Sequence, residues 1–296
     1  MAVVAIEHKA IKLVHTKDMD HAEWLENRKR GLGGSDASAV AGVNKYTSPV
    51  VLYMEKKGLY TKVVDNDAAY FGNVMEPILK KEFIKRINAE REEQGRPPLK
   101  VMACNYLLQH PDYDFMLANI DGEIRCPELG KGILEIKTAS EYLKEDWQGD
   151  DIPNAYYLQV MHYLAVTGYA FAYVVVLIGG NKYKHYFIER DEETINSLIA
   201  IEYDFWHNNF LAGIPPEMDG SDSTKEMLTA MNPNSVNRDD IVLNLPDSLI
   251  EHVETVDVVK ELIAILEEQK TKHENEIKAT MGDTGIASPG PHKVSW

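Results

Sequence analysis

The segment Gly132-Ile-Leu-Glu-Ile-Lys137 decides the fold, because it has the composition of a buried strand and yet carries charged residues at alternate positions. Successive side chains of a strand point to opposite faces of a sheet, so Glu135 and Lys137 share one face. Leu134 and Ile136 then point into apolar packing on the other face. The segment therefore predicts a core strand that presents an acid and an amine on one side.

A second acid is expected beside this strand. Asp121 lies in the apolar segment Ala118-Asn-Ile-Asp-Gly-Glu-Ile124, and the stretch from Pro127 to Gly132 supplies the residues of a connecting turn. Hard divalent cations such as Mg²⁺ take oxygen ligands and keep several waters, so two carboxylates and a backbone carbonyl suffice to hold one. A bound cation of this kind activates water and stabilises charge on phosphoryl oxygens. Lys137 is expected to orient that water, or to act as its base if burial lowers the lysine pKa.

Taken alone, the pattern also fits an ordinary strand with outward charges, because an isolated Asp and Glu-x-Lys match is short and common. Further motifs follow one another along the chain: Arg28, Gly31-Leu-Gly-Gly-Ser-Asp-Ala37, Gly72-Asn-Val-Met-Glu-Pro77, Asn119-Ile-Asp-Gly122, Leu134-Glu-Ile-Lys137 and Tyr157-Leu-Gln-Val-Met-His-Tyr163. In this order they resemble the YqaJ-like viral recombinase family, which is related to the lambda-type phage exonucleases within the PD-(D/E)xK nuclease superfamily. The resemblance runs from about Trp24 to about Phe210.

The order of helical and strand-like segments predicts an α/β fold with a small mixed β-sheet flanked by helices. The resemblance makes this a restriction-endonuclease-like core. The composition changes after Pro215-Pro216, so three parts are expected: an N-terminal extension at 1–21, the nuclease core at 22–215, and a loop with a long C-terminal helical region at 216–296.

A phosphate site is expected near the start of the core. Ser35 follows a run of glycines and is a credible N-cap for a short helix, whose free N–H groups would suit an anion. Arg28 lies just upstream, and its planar guanidinium matches a phosphate. The resemblance implies that Arg28 and Ser35 hold a terminal 5′ phosphate. It places Asn119 where the lambda enzyme has a third phosphate-binding serine, and an amide there can still donate a hydrogen bond.

Glu76 lies in a segment whose apolar residues recur at helical spacing, although Pro77 is expected to break or restart the helix. By itself it fits a solvated glutamate on a helix face. The resemblance implies instead that Glu76 completes the shell of a metal held by Asp121, Glu135 and the carbonyl of Ile136, either directly or through water.

Gln159 falls in an apolar helix that Gly168 is expected to end, so its amide needs a partner. The resemblance places Gln159 beside the active site, in contact with substrate or water. His162 is expected to be a packed or substrate-proximal histidine rather than a metal ligand, because imidazoles and thiolates do not cluster in the sequence.

Composition agrees with a globular enzyme but carries one awkward feature. The chain has 296 residues and a formal net charge of −16, whereas nonspecific DNA binding relies on phosphate neutralisation. An enzyme that grips a few phosphates in a groove can stay acidic outside. Two separate cysteines, Cys104 and Cys126, and the lack of a cleavable signal lead us to expect a cytoplasmic protein. The resemblance implies a phage or prophage protein in a bacterial host.

A charged helix is expected from Pro246-Asp-Ser248 to about Met281, with an apolar stripe made by Val253, Val256, Val259, Leu262, Ile263 and Leu266. This stripe either packs on the chain's own core or docks another protein.

The resemblance implies a Mg²⁺-dependent 5′→3′ exonuclease on double-stranded DNA ends, with Mn²⁺ as a substitute metal. Its products would be 3′ single-stranded overhangs for phage recombination by strand annealing. A homotrimeric ring, a single-strand annealing partner and no membrane contact are expected. A nicking or structure-specific endonuclease and a noncatalytic DNA-end recombination adaptor remain alternatives. Intact Asp121, Glu135 and Lys137 argue against the adaptor, and Arg28 and Ser35 favour an end-directed enzyme.

Overall fold

A computed structural model of the chain describes residues 9–62, 67–233, 246–288 and 290–295. The chain divides into two compact units, one ending at Pro233 and the other beginning at Asn234. The first unit contains β1 (Ile11–His15), α1 (His21–Arg28), α2 (Gly34–Val40), α3 (Pro49–Lys56), α4 (Asp67–Glu93), β2 (Lys100–Met102), β3 (Tyr106–Gln109), β4 (Leu117–Ala118), β5 (Gly122–Cys126), β6 (Gly130–Ala139), a 3₁₀ helix (Glu141–Trp147), α5 (Asn154–Thr167), β7 (Phe171–Ile178), β8 (Lys182–Glu189), α6 (Glu192–Asp204), a π-helical turn (Phe205–Leu211) and α7 (Asp222–Met231).

The main sheet has five strands in the order β2-β5-β6-β7-β8. β6 pairs with β7 in parallel through the crossover helix α5, whereas the other neighbours are antiparallel. The β7–β8 hairpin turns at Gly179 and Gly180, whose positive φ angles of 59° and 78° favour glycine. The expected α/β core, a small mixed sheet flanked by helices, is confirmed.

The strand β6 lies at the centre of this sheet and packs on both faces. Leu134 and Ile136 lie in one apolar cluster with Leu79 and Phe83 of α4. Ile133 lies in the other cluster, to which α5 contributes most of its length. The alternation predicted from the sequence is therefore confirmed, and it leaves Glu135 on the face that α5 covers.

A second sheet has the strand order β1-β3-β4, and the glycine-rich segment Gly31–Gly34 lies beside its strand β4. The backbone of Leu32 accepts a hydrogen bond from Leu117 N at 2.8 Å and donates one to the carbonyl of Phe115 at 2.6 Å. These two hydrogen bonds hold the residues just before α2 beside β4, which Asn119 follows directly. This pairing brings Arg28 and Ser35 into one cleft with Asp121, from which they lie far apart in the sequence.

The expected break at Pro77 is wrong, because α4 runs without interruption from Asp67 to Glu93. Proline lacks an N–H and removes one hydrogen bond of the helix. Leu79, Phe83 and Ile87 in the second half are buried against the sheet, and this packing compensates for the missing hydrogen bond. Glu76, in the first half, lines the cleft described below.

The polar stretch after Pro216 was expected to be a loop, but α7 forms within it. Ser221 caps α7 by accepting a hydrogen bond from Thr224 N, and Met227 is buried against Val50 and Val51 of α3. The first compact unit therefore extends past the predicted boundary at residue 215. Residues 234–245 of the expected loop lie outside the described residues, and the three-part division of the chain remains a prediction.

The second unit contains a 3₁₀ turn (Asp247–Leu249), α8 (Ile250–Met281) and a short hairpin of β9 (Ile286–Ala287) and β10 (Val294–Ser295). The predicted helix is therefore present at the predicted place. Each residue of its apolar stripe is about half exposed, from 44% at Val259 to 62% at Leu266. No described element of its own unit covers the stripe.

Candidate active site

One cleft of about 420 Å³ in the first unit is lined by every side chain that the sequence marked as a candidate. Its walls come from α1, α2, the first half of α4, the segment from β4 to β5, β6 and α5. The candidates around it are Arg28, Ser35, Glu76, Asn119, Asp121, Glu135, Ile136, Lys137 and Gln159. Residues spread over more than 130 positions of the chain thus surround one volume.

The centre of the cleft is a buried cluster of acids and amines. Glu135 is only 3% exposed, and its Oε1 accepts hydrogen bonds from Lys137 Nζ and Gln159 Nε2, both at 2.7 Å. Asp121 lies just before β5, which pairs with β6, and its Oδ2 accepts a hydrogen bond from Ile136 N at 2.8 Å. The strand pairing expected from the sequence has thus brought both carboxylates together.

These carboxylates are poorly solvated and close to one another. Burial, reinforced by the neighbouring Asp121 charge, raises the pKa of Glu135 to about 8. Burial also raises the pKa of Asp121, although Lys137 and the Ile136 N–H act in the opposite direction. Two acids that resist ionisation together favour a nearby cation, because a cation removes both the desolvation cost and their repulsion.

The expected role of Lys137 as a base depends on a lowered pKa, and this arrangement does not lower it. Burial would lower the pKa of Lys137, but the Glu135 carboxylate at 2.7 Å outweighs burial and raises it. A raised pKa favours the ammonium form, which suits orientation of a water or phosphate oxygen rather than proton abstraction. Orientation of the attacking water, the other role expected of Lys137, remains a prediction.

Glu76 reaches the same cleft from α4. It is half-buried, and burial together with the charge of Asp121 raises its pKa. Lys80, one helical turn later, lies with Nζ 3.8 Å from Glu76 Oε1 and donates a hydrogen bond to the main-chain carbonyl of Asp121. Lys80 carried no expectation from the sequence, where it is simply one of several lysines on a helix.

The residues expected to bind phosphate line the same cleft. Arg28 Nη2 donates to Ser35 Oγ at 2.6 Å, and its guanidinium lies 4.6 Å from the ring centroid of Trp24. Asn119 also lines the cleft, two residues before Asp121. A guanidinium, a hydroxyl and an amide therefore face the space adjoining the acidic cluster.

Ser35 was expected to be the N-cap of α2, but Gly33 takes that position. Asp36, the third residue of α2, accepts a hydrogen bond from Gly33 N at 2.8 Å, as an N3 acid does in a capping box. Burial would raise the pKa of Asp36, but Lys56 at 2.8 Å and Arg28 outweigh burial and lower it. The hydroxyl of Ser35 is thereby left to face Arg28 and the cleft.

The helices α2 and α5 pack so closely that no side chain fits at Gly34. A Cβ built on Gly34 would come within 3 Å of the Tyr163 ring, and Tyr163 Oη accepts a hydrogen bond from Gln159 Nε2 at 3.3 Å. Close packing here fixes the position of Gln159 against Glu135.

We expect Gly34→Ala to lower the free energy of unfolding by about 1–3 kcal/mol, because overpacking forces the ring and its helix apart. Chemical denaturation measures the change. Gly220→Ala is the matched control, since a Cβ there meets nothing within 4 Å. Equal stability of Gly34→Ala and Gly220→Ala would show that the two helices separate without cost.

His162 is a packed histidine, as expected, but its partner was missed. Its ring is fully buried, with Nδ1 2.8 Å from Oε1 of the buried Glu202 and Nε2 2.8 Å from the Leu117 carbonyl. The contact with the Glu202 carboxylate raises the pKa of His162 against the effect of burial. The pair ties α5 to α6 and to β4, and nothing in the local sequence around Glu202 indicates this.

The donor set fits a hard divalent cation. Within the described parts of the chain, no three His, Cys, Asp or Glu side chains form a metal cluster by themselves. Mg²⁺ does not need such a cluster, because it is commonly held by one or two carboxylates and retains waters. Among the described residues, Glu135 Oε2 is buried and has no hydrogen-bond partner, which is a cost that a cation would remove.

None of the helices among the described residues combines the length and the apolar character that crossing a bilayer requires.

Two solved structures share the fold. An alkaline exonuclease from Laribacter hongkongensis has a TM-score of 0.50 and 21% sequence identity, over 65% of this chain and 94% of that one. The structure of that exonuclease in complex with dAMP has a TM-score of 0.51 and 22% identity over the same shares. At these identities the likeness concerns the fold, and it agrees with the restriction-endonuclease-like core.

Two proteins are similar in sequence. The protein YqaJ of Bacillus subtilis strain 168 is 37% identical over 292 residues, which is 97% of this chain and 86% of that protein. The protein R354 of Acanthamoeba polyphaga mimivirus is 30% identical over 168 residues, 53% of this chain and 28% of that protein. The YqaJ-like viral recombinase domain matches residues 23–170, which contain every residue of the candidate site. The resemblance seen in the motifs is confirmed, and this chain belongs to the YqaJ-like viral recombinase family.

Proposed function

We propose that the chain is a metal-dependent deoxyribonuclease that degrades double-stranded DNA from its ends in the 5′→3′ direction. The observation that carries this proposal is the joining of two sites in one cleft. Asp121, Glu135 and Lys137 would form the metal and water site, and Arg28 with Ser35 would form the phosphate site, in the same cleft. Family membership and the fold shared with alkaline exonucleases support it.

Asp121, Glu135 and the carbonyl of Ile136 would hold Mg²⁺ or Mn²⁺, with Glu76 acting directly or through water. When bound, the cation supplies Lewis-acid stabilisation of the phosphoryl oxygens and an activated water. These ligands come from a central strand and from the turn before its neighbour. Such rigid placement favours a fixed coordination geometry.

The remaining groups of the chain would orient the substrate and the water. Lys137 keeps its proton and would direct an oxygen of the scissile phosphate or the attacking water by a charged hydrogen bond. The Nε2 of Gln159 donates hydrogen bonds to both Glu135 and Tyr163, and Gln159 would position the same water through its amide. Both act by orientation, which lowers the entropic cost of the attack.

Arg28 and Ser35 would bind a terminal 5′ phosphate, with Asn119 as a third contact. A phosphate at a strand end carries more negative charge than an internal phosphodiester, so a guanidinium site beside the metal ligands favours ends over continuous strands. This arrangement supports an exonuclease over the alternative of a nicking or structure-specific endonuclease. The buried acids and Lys137 also argue against a noncatalytic adaptor, because their burial is costly without a use.

Incubation of linear and covalently closed duplexes with Mg²⁺ tests this proposal. The proposal expects digestion of the linear duplex, survival of the closed circle, and no digestion in EDTA. Nicking of the circle would support the endonuclease alternative. Tight end binding without digestion in any divalent cation would support the adaptor.

The biological role we propose is the formation of 3′ single-stranded overhangs for recombination in the cytoplasm of a bacterial host. The exposed strand would pass to a single-strand annealing protein. Because a chain with a net charge of −16 has little diffuse attraction for DNA, processive digestion would come from encirclement by a homotrimeric ring.

The helix α8 is the proposed contact for this partner or for the subunits of the ring. Deleting residues from Pro246 onward is expected to weaken annealing-protein binding or trimer formation while sparing cleavage of short duplexes, because the cleft lies wholly in the first unit. Pull-down and sedimentation measure the two losses.

A full-length chain with Leu262→Lys and Leu266→Lys guards against misfolding of the deletion, since both residues are more than half exposed. Unchanged partner binding and unchanged mass in both variants would remove α8 from either role.

A further inference from the structure

Lys56, the last residue of α3, carries a buried charge to which the proposed reaction gives no role. Its side chain is only 7% exposed, and its ammonium lies 2.8 Å from Asp36 Oδ2. The same ammonium donates hydrogen bonds to the main-chain carbonyls of Gly31 at 2.7 Å and Arg28 at 3.3 Å. An ammonium has three N–H donors, and these three acceptors can use all of them. Lys56 is therefore committed to residues around the proposed phosphate site.

We propose that Lys56 is a positioning residue that keeps Arg28 available for the 5′ phosphate of the DNA end. It does so by neutralising Asp36, a buried carboxylate that would otherwise pair with the Arg28 guanidinium. The inference rests on the proposed function in taking Arg28 as a ligand of the terminal phosphate. It adds a residue that touches no DNA and yet controls the preference for phosphorylated ends.

The competition for Arg28 follows from the position of Asp36. A Cβ built on Gly33 would lie 3.8 Å from both Arg28 Nη2 and Asp36 Oδ2, so the guanidinium and the carboxylate are neighbours. Asp36 is 9% exposed, and its Oδ2 contacts Gly33 N and Lys56 Nζ, both at 2.8 Å. Without the ammonium, the carboxylate would attract the Arg28 guanidinium, because a buried charge without a partner is strongly disfavoured.

With Lys56 in place, the positive charge of Arg28 is left for another anion. Arg28 Nη2 donates a hydrogen bond to the neutral hydroxyl of Ser35 at 2.6 Å, and both residues line the cleft. A neutral partner uses one donor without cancelling the charge, and a guanidinium has further N–H groups to offer a phosphate. The ion pair of Lys56 and Asp36 therefore suits a site that must bind an incoming anion.

Three variants separate neutralisation of Asp36 from simple support of the fold. Lys56→Met deletes the ammonium but keeps most of the length of the side chain. Asp36→Asn removes the competing charge, while its amide oxygen can still accept the hydrogen bond from Gly33 N. The double variant Lys56→Met/Asp36→Asn removes both charges. Lys57→Met is the matched control, because Lys57 follows Lys56 directly, is exposed and does not line the cleft.

The measurement is cleavage by the full chain, in Mg²⁺, of duplexes with a 5′ phosphate or a 5′ hydroxyl. For Lys56→Met we expect the preference for phosphate to fall about tenfold or more, because hydrogen bonds from Arg28 to a charged group supply it. The fall should appear as a higher KM on the phosphorylated duplex, with kcat and the rate on the hydroxyl duplex unchanged. A folding defect would instead lower the rates on both duplexes. Asp36→Asn, the double variant and Lys57→Met should keep the preference.

Two results would overturn the proposal. One is a Lys56→Met chain that is folded by circular dichroism and keeps the full preference for a 5′ phosphate. The other is a lost preference in Asp36→Asn or in the double variant, which would mean that the ion pair supports the site rather than shielding Arg28. If Lys56→Met does not fold, Lys56→Gln takes its place with the same expected loss, because glutamine keeps N–H donors for the same acceptors and has no charge.

The proposed function fails in a different way. The intact chain would then cut phosphorylated and hydroxyl ends at equal rates, or would leave linear DNA uncut. A preference in the intact chain that survives in folded Lys56→Met would refute the Lys56 inference alone.

Discussion

Replacing Glu135 by alanine is expected to lower the rate of Mg²⁺-dependent DNA cleavage by about 10³-fold or more, with duplex binding largely retained. The expected size follows from the loss of charge stabilisation at a buried site, where removing a single preorganised group already costs about 10²- to 10³-fold. Asp121→Ala and Lys137→Ala should have similar effects, because the three side chains act on one ion and one water.

A loss of cleavage caused by lost chemistry can be distinguished from one caused by unfolding. The hydrogen bonds of Glu135 go to Lys137 and Gln159, whose side chains line the cleft, so its replacement should leave the sheet intact. Cleavage of a labelled linear duplex measures the rate, and circular dichroism reports the fold. Glu189→Ala, an exposed acid at the end of β8 in the same sheet, is the matched control and should cleave normally. Near-normal turnover of Glu135→Ala in Mg²⁺ would contradict the assignment.

The second large effect concerns the DNA end. Duplexes with a 5′ phosphate should be degraded about 10- to 100-fold faster than duplexes with a 5′ hydroxyl, because a hydrogen bond to a charged group contributes about 1.5–3 kcal/mol. Arg28→Ala should erase most of this difference. Ser35→Ala should erase less of it, since Ser35 supplies a neutral hydroxyl at 2.6 Å from the guanidinium.

Arg30→Ala is the control for this experiment. Arg30 lies two residues from Arg28 and is exposed, but it does not line the cleft. It should therefore keep the preference for a 5′ phosphate. Equal rates on phosphorylated and hydroxyl ends in the intact enzyme would remove the phosphate site, whatever the variants do.

The strand at the centre of the site could be predicted from local sequence, because its physics is local. The alternation of Leu134 and Ile136 with Glu135 and Lys137 follows from the geometry of a strand, and the structure reproduces it. The two carboxylates meet because a turn joins β5 to β6, and turn residues are visible in sequence. Short-range rules were sufficient for this part.

Predictions from local sequence failed where contacts between distant residues determine the structure. Pro77 predicts a break in a helix, but the burial of Leu79 and Phe83 against the sheet keeps α4 continuous. Ser35 also fits a helix cap in the sequence. In the structure, Asp36 accepts a hydrogen bond from Gly33 N and forms an ion pair with Lys56. Each outcome depends on a partner that local pattern does not identify.

The contacts of Lys80 and Glu202 lay beyond sequence reasoning for a related reason. A lysine on a charged helix and a glutamate on an amphipathic helix both fit a solvated surface. In the structure, Lys80 of α4 donates a hydrogen bond to the main-chain carbonyl of Asp121, and Glu202 of α6 contacts His162 of α5. Contacts between elements, rather than patterns within them, give these residues their partners.

The most direct test of the central claim is the order in which labels leave a linear, 5′-phosphorylated duplex in Mg²⁺. One strand carries a label in its 5′-terminal nucleotide and another label near its 3′ end. If the cleft of Arg28, Ser35, Asp121 and Glu135 works from 5′ ends, the 5′ label should be released first, and the 3′ label should remain on a long single strand until late. Release of the 3′ label first, or of both labels together on internal fragments, would contradict the account.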